Sequence, residues 1–315
     1  MARTAIKISI IGAGFVGSAI AYTLMANGTA SEIVLVDRDR ERAEGEAMDI
    51  GHGATLAKSV SVVRAGDYPD TANSDLVMIT AGTNQKPGET RMDLIKRNAS
   101  IMRDIAKKVA EYSPNTIIMV ITNPVDVMAY VVQQITGFPK HRVIGSGTVL
   151  DSSRFRHLIS KIFDVASRDV NGYILGEHGD SEFPAWSLTR IAGMDLDEAS
   201  CMFKLCFDDD SYKSVAEDTK NAAYEIINRK GATYYGIGMA ATKIAEAIVR
   251  DEDRILPVSV LLNGEYDIHD VYLSLPVILG QRGVKKILTP KLSDDEMTKL
   301  YNSAEVLKKA CESVK

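Results

Sequence analysis

Residues 6–17 read Ile-Lys-Ile-Ser-Ile-Ile-Gly12-Ala13-Gly14-Phe15-Val16-Gly17, an apolar run that stops at a glycine and gives way to a helix-like stretch. The Gly-x-Gly-x-x-Gly spacing places a different demand on each glycine. Gly12 permits the tight turn off the strand, Gly14 lets backbone approach a pyrophosphate, and Gly17 lets the new helix pack against the strand. Val16 stands in the first turn of that helix, whose N-terminus offers free N–H groups and partial positive charge to phosphates. Alone, the triplet is a weak signal that also serves structural turns. A second strand-like run, 32–36, ends at Asp37, where a carboxylate can accept both hydroxyls of a ribose. Asp37 would repel a 2′-phosphate by roughly 4 kcal/mol at contact distance and an effective dielectric near 20. The pattern predicts NAD over NADP, with Arg38 as the one neighbour that blurs the preference.

Working outward, strand-like runs lie at 6–11, 32–36, 76–80, 116–121 and 142–145, and helix-length amphipathic stretches such as 16–27, 40–56 and 92–111 separate them. Near-continuous apolar strands joined by helices predict a parallel sheet covered on both faces. Residues 1–147 therefore read as a Rossmann-type, doubly wound α/β dinucleotide-binding domain. After about residue 148 the pattern changes to longer helices, then to an extended, turn-punctuated stretch over 255–288. Asn263-Gly264 is a hairpin-turn signal within it. Ser293-Asp294-Asp295-Glu296 is a capping box before a helix with Leu300, Ala304, Leu307 and Cys311 on one face. Residues 148–315 read as a mixed α+β substrate and catalytic domain, packed tightly on the first because no exposed linker separates them.

Composition excludes several classes. The chain has 315 residues, is 45% hydrophobic and 25% charged, and carries a net charge of −5, so it can bury a full core and shows no basic nucleic-acid footprint. No apolar run approaches the roughly 20 residues that span a bilayer. The sequence enters a strand with no signal peptide before it, so a cytoplasmic, soluble protein is expected. Cys201, Cys206 and Cys311 lack metal-type spacing and are expected to be small buried hydrophobes in a reducing compartment; no metal site is predicted.

Five histidines are present, and His52, His141, His157 and His269 have no accompanying constellation. His178 differs. It follows the apolar run Tyr173-Ile174-Leu175, where an α/β enzyme tends to place its chemistry, in the acidic stretch Gly176-Glu177-His178-Gly179-Asp180-Ser181-Glu182. Imidazole changes charge near neutral pH and can protonate a developing alkoxide, given a carboxylate to fix its tautomer. Asp151, in Asp151-Ser152-Ser153-Arg154, is the candidate partner, and an equally good helix N-cap. Sequence alone leaves both open.

Ile121-Thr122-Asn123-Pro124-Val125-Asp126, Asp151-x-x-Arg154 and the 176–182 stretch resemble the lactate/malate dehydrogenase family, from residue 6 to the C-terminal helix and in family order. The likeness is to its bacterial-type form, without the N-terminal arm of vertebrate-type members. The resemblance implies that His178 is the acid/base, Asp151 its partner and Arg154 the clamp on a substrate carboxylate. It further implies that Asn123 hydrogen-bonds substrate, Asn98 sits near the nicotinamide, and Thr233 lines the substrate pocket. Arg91, in the loop-like stretch 83–91, is implied to polarise the carbonyl. Such assignments make chemical sense: an arginine fork matches a planar carboxylate as lysine cannot, and a second arginine helps as charge develops on the carbonyl oxygen. Retention of all four of His178, Asp151, Arg154 and Arg91 argues against a non-catalytic NAD-binding protein.

Charge counting narrows the substrate. Pyruvate brings one carboxylate, answered by Arg154; oxaloacetate brings a second. The resemblance places the discriminating position at Gln85, where malate enzymes typically carry arginine and lactate enzymes glutamine. A neutral Gln85 leaves a second carboxylate without counter-charge. Pyruvate and L-lactate are therefore the expected substrates, with malate or another L-2-hydroxy acid as the alternative. The resemblance also implies a homo-oligomer, usually a tetramer. Some members take fructose 1,6-bisphosphate at a subunit interface through an arginine and a histidine; the corresponding positions here are Arg156 and Asn171, and asparagine supplies no charge for a phosphate.

Overall fold

In the computed structural model, β1 (Lys7–Ile11) is followed by α1 (Phe15–Ala26), β2 (Glu32–Val36), α2 (Arg40–Ala54), β3 (Val62–Ala65), β4 (Leu76–Ile79), α3 (Arg91–Tyr112), β5 (Ile117–Val120), α4 (Val125–Thr136) and β6 (Val143–Gly145). The structure describes residues 5–57, 60–83, 88 and 90–314, the side chain of Arg91 excepted. All six strands pair in parallel, and β4, β5 and β6 are buried along their whole length. Burial on both faces is what their unbroken apolar runs require.

The second half contributes α5 (Val149–Phe163), β7 (Val170–Asn171), β8 (Ile174–Leu175), β9 (Phe183–Pro184), β10 (Arg190–Ile191), α6 (Leu196–Phe203), α7 (Asp209–Lys230) and α8 (Tyr235–Val249). After these come β11 (Arg254–Asn263), β12 (His269–Gly280), β13 (Gly283–Ile287) and α9 (Asp294–Glu312). β11 to β13 form an antiparallel meander that extends the parallel sheet, giving one nine-stranded sheet in the order β13-β12-β11-β6-β5-β4-β1-β2-β3. The join is Ser259 of β11 against Gly145 of β6. It depends on small residues, since a Cβ on Gly145 would stand 2.9 Å from Ser259 Cβ. A second, aromatic core around Phe155, Phe163, Trp186 and Phe207 packs beneath α5 and α7.

Three expectations need correction. β3 is a strand that the periodicity did not mark, because it is a short edge element carrying Arg64 and is only partly covered. Asn263-Gly264 does begin a hairpin connection, but the chain adds a 3-10 turn at Glu265–Asp267, so the link exceeds two residues. Cys311 is buried under α9 as expected, whereas Cys201 and Cys206 are exposed on and just after α6. The capping box at Ser293 and Glu296 forms, and Leu300, Ala304, Leu307 and Cys311 all face the core. Among the described residues no helix is long and apolar enough to cross a membrane.

Candidate active site

The carboxyl ends of β1, β4 and β5 open on one side of the sheet, where an open α/β fold binds ligands. A cavity of about 610 Å³ lies there, lined by Gly12, Gly14, Asp37, Thr80 and Ile101 among others. Gly12 has φ +110°, and a Cβ on it would come within 2.7 Å of Ala81 N and Thr80 Oγ1. Gly17 lies beneath it, with room for a Cβ blocked at 1.9 Å by the Gly12 carbonyl. Gly14 caps α1 with no side-chain hydrogen bond and faces open space. A bare helix N-terminus beside an open volume suits an anion. Val16 packs against the core from the first turn of α1. The Ala13 N–H donates to Asp37 Oδ2 at 2.6 Å and the Asp39 N–H to Oδ1 at 2.9 Å, which fixes the carboxylate at the cavity rim. These residues fit an NAD nucleotide: phosphates on the helix end, ribose on Asp37.

The second group of residues lies on α5 and the β8–β9 loop. The Gly176 N–H donates to Ser274 O at 3.1 Å, which pins this loop to β12 just ahead of His178. Asp151 and Arg154 stand one turn apart at the start of α5, and Thr148, not Asp151, occupies the N-cap position. The geometry decides between the two readings of Asp151. Its Oδ2 accepts from His178 Nδ1 at 2.7 Å, while Oδ1 accepts from Arg154 Nη1 at 2.8 Å. Asp151 is 2% exposed and His178 26%. Burial alone would lift the Asp151 carboxyl, but His178 and Arg154 hold it below the ordinary range. Burial works the other way on His178, and Asp151 outweighs it, raising the imidazole to about 9. Asp151 thus favours the charged form of the His178 ring and binds it through Nδ1.

Asn98 is 1% exposed, and its amide accepts from the Thr83 N–H at 2.9 Å and donates to Asn123 O at 2.9 Å. It holds together the end of the β4 loop and the exposed Asn123. Thr233 lies between α7 and α8, beside Tyr234, whose ring stacks on Phe15 of the glycine loop at 5.3 Å. Lys220 of α7 donates to Asp180 O at 2.6 Å, joining that helix to the His178 loop. Gln85 and the Arg91 side chain fall outside the described residues; the Arg91 backbone opens α3 after the Thr90–Asp93 capping box.

Two carboxylates at the site were not singled out from the sequence. Glu182 closes the 176–182 stretch, and its ligand atom lies with those of His178 and Asp151 in a group no more than 4.8 Å apart. Burial and the neighbouring Asp151 raise it to about 8. The trio could in principle ligate a metal, but Arg154 already places a positive charge on Asp151, which opposes a divalent cation. Asp126, at the end of the 121–126 motif, reaches the His178 backbone from α4. Its sequence signal was its place in a motif in which another polar member, Asn123, drew the assignment.

A family model described as lactate/malate dehydrogenase, NAD binding domain matches residues 6–145, and one described as lactate/malate dehydrogenase, alpha/beta C-terminal domain matches 148–315. The chain belongs to the lactate/malate dehydrogenase family. It is 53% identical to L-lactate dehydrogenase 1 of Clostridium acetobutylicum over 311 residues, covering 98% of each chain. It is 52% identical to an L-lactate dehydrogenase of Clostridium perfringens over 302 residues, 96% of this chain and 95% of that one. Among solved structures, the ligand-bound minor L-lactate dehydrogenase of Enterococcus mundtii superposes with a TM-score of 0.96 at 43% identity, covering 99% of both chains. For a lactate/malate dehydrogenase, NAD is the cofactor. The cavity at the β-strand ends meets that requirement.

Proposed function

We propose that the chain is an NAD-dependent L-lactate dehydrogenase, reducing pyruvate to L-lactate reversibly. The constellation Arg154–Asp151–His178 carries this reading, because it puts a carboxylate-binding cation and a charged proton donor on one buried aspartate. NADH, when bound, supplies the hydride; the α1 N-terminus with Gly12, Gly14 and Gly17 would hold its phosphates, and Asp37 its ribose. Arg154 commits Nη1 to Asp151 and turns the rest of its fork to the substrate carboxylate. His178 gives the proton on Nε2 to the carbonyl oxygen as negative charge builds there, and Asp151 stabilises the imidazolium until it does. Arg91 polarises that oxygen, Asn123 and Thr233 orient the substrate, and Gln85 faces its uncharged end. The domains divide as 1–147, which holds the cofactor and also contributes Gln85, Arg91 and Asn123 to the substrate site, and 148–315, which supplies Asp151, Arg154, His178 and Thr233.

Steady-state kinetics with pyruvate and oxaloacetate, each with NADH and NADPH, test the whole reading. Pyruvate with NADH should give the highest kcat/KM. Equal efficiency with NADPH would remove the role of Asp37, and preference for oxaloacetate would return the chain to the malate branch.

Fructose 1,6-bisphosphate should do little. Arg156 donates Nε to Gly172 O at 2.8 Å and lies over the Tyr173 ring, while Asn171 brings no charge. Millimolar effector should leave the pyruvate saturation curve in place; a large leftward shift would show that another set of cations builds the site. A homo-oligomer, specifically a tetramer working in the cytoplasm, completes the proposal. Large apolar side chains exposed on α1, α2 and α8, namely Tyr22, Met48 and Met239, support association. Light scattering should return about four times the 34.3 kDa chain mass, and a monomer would refute it.

A further inference from the structure

His178 is held at two points, and only one of them is its ring. Its backbone N–H donates to Asp126 Oδ2 at 2.9 Å, and Asp126 Oδ1 accepts from Ser259 Oγ at 2.5 Å. Asp126 is 1% exposed and stands in the first turn of α4 between Val125 and Val127, both buried. A carboxylate in such a place is costly unless its lone pairs are answered, and a neutral side chain would pack there at lower cost. What the carboxylate gains is position. Three segments remote in sequence meet on it: the Asn123–Asp126 turn after β5, strand β11, and the His178 loop. Ser259 is the β11 residue that also faces Gly145, where an added Cβ would stand 2.9 Å from the Ser259 Cβ.

We propose that Asp126 is a positioning residue that locks the His178 main chain to the Asn123 turn and keeps a negative charge at the backbone of the proton donor. Proton donor and substrate-binding asparagine are then fixed in one frame, whatever neighbouring segments do. The inference rests on His178 being the acid/base. Charged groups acting on His178 are Asp151 from α5, Glu182 from its own loop and Asp126 from α4; Arg154 of α5 acts on Asp151 and Glu182, Lys220 of α7 on Glu182, and Glu177 on Asp126, which Ser259 answers from β11. Burial raises Asp126 to about 6, against the pull of Ser259 and the His178 N–H. It is therefore ionised across the range in which His178, at about 9, gives up its proton. Its charge favours the imidazolium and adds to that of Asp151.

The test compares D126N and D126A in the intact enzyme, following kcat/KM for pyruvate against pH at saturating NADH, with NADH binding measured separately. Asparagine can still accept from the His178 N–H through Oδ1 and donate to Ser259 Oγ through Nδ2, so it keeps the geometry and loses the charge. D126N should retain most of the turnover that D126A loses, and its alkaline limb should move down by about half a pH unit or more. D126A should lose about tenfold or more in kcat with NADH affinity unchanged. A purely structural aspartate would leave the limb of D126N where the wild type has it, and that result overturns the proposal. So does a D126A as active as the wild type. Failure of D126A to fold leaves the limb of D126N as the deciding measurement. Were the wild type itself to show no limb removable by H178N, the acid/base reading would fail and take this inference with it, an outcome distinct from an unmoved limb in D126N alone.

Discussion

Replacing His178 by asparagine should lower kcat for pyruvate reduction by on the order of 10³, because the variant keeps a hydrogen-bonding side chain of similar reach but has no proton to give. NADH should bind as before, since the groups proposed to hold it, the α1 N-terminus and Asp37, belong to elements other than the His178 loop. The wild type should also carry a signature that the variant lacks. His178 must be protonated to reduce the keto acid, and Asp151 raises it to about 9. Pyruvate reduction should therefore hold steady through neutral pH and fall as pH rises through about 9, while lactate oxidation, which needs the free base, should climb over the same interval. A variant that keeps more than about a tenth of wild-type turnover, or a wild type with no alkaline limb, would remove His178 from the proton-donor role.

The second large effect is expected at Gln85. Pyruvate presents one carboxylate for Arg154 and an uncharged methyl group; oxaloacetate presents a second carboxylate for which Gln85 offers a hydrogen bond but no charge. Gln85→Arg should raise kcat/KM for oxaloacetate and lower it for pyruvate, since with pyruvate the new guanidinium is left without a counter-ion. An unpaired desolvated charge costs more than an imperfect apolar fit, so a relative swing on the order of 3 kcal/mol, about 10²-fold, is expected. Gln85 lies outside the described residues, and the expectation rests on charge balance at a position the sequence supplies. Measuring both substrates in both variants decides it. An unchanged ratio would mean that specificity is set elsewhere.

Much of the fold can be read from residues 6–145, because a strand buried on both faces has to be apolar throughout and β4 and β5 are. β3 escapes the same reading for the converse reason: an edge strand partly open to solvent tolerates Arg64 and loses its signature. Asp151, Arg154 and His178 stand out in the sequence as motifs, but their relations do not. Asp151 reads as a helix cap or as a histidine partner with equal force, and only the arrival of His178, 27 residues on, separates the two. Asp126 is harder still, since its hydrogen bond goes to a backbone N–H 52 residues away and its other partner lies on β11. No periodicity encodes a contact between an α4 carboxylate and a loop amide. The cysteines make the same point in reverse: residue type suggested burial, and the position of α6 at the surface left Cys201 and Cys206 exposed.

The single sheet that runs through both halves has a consequence for anyone who would recombine this enzyme with a relative. A crossover near residue 146 looks natural from the domain division, yet it cuts between Gly145 and Ser259, neighbours in the same sheet, and separates Asp126 from its two partners. A donor half with anything larger than glycine at 145 would force the recipient's β11 outward. One with an aliphatic residue at 126 would leave the recipient's Ser259 hydroxyl and His178 amide without their acceptor. Compatible chimeras are thus selected by those two donor positions, however alike the remaining sequences are. Asp37, proposed to set cofactor preference, follows β2, four strands from β6 in the sheet, so a change there leaves the seam alone.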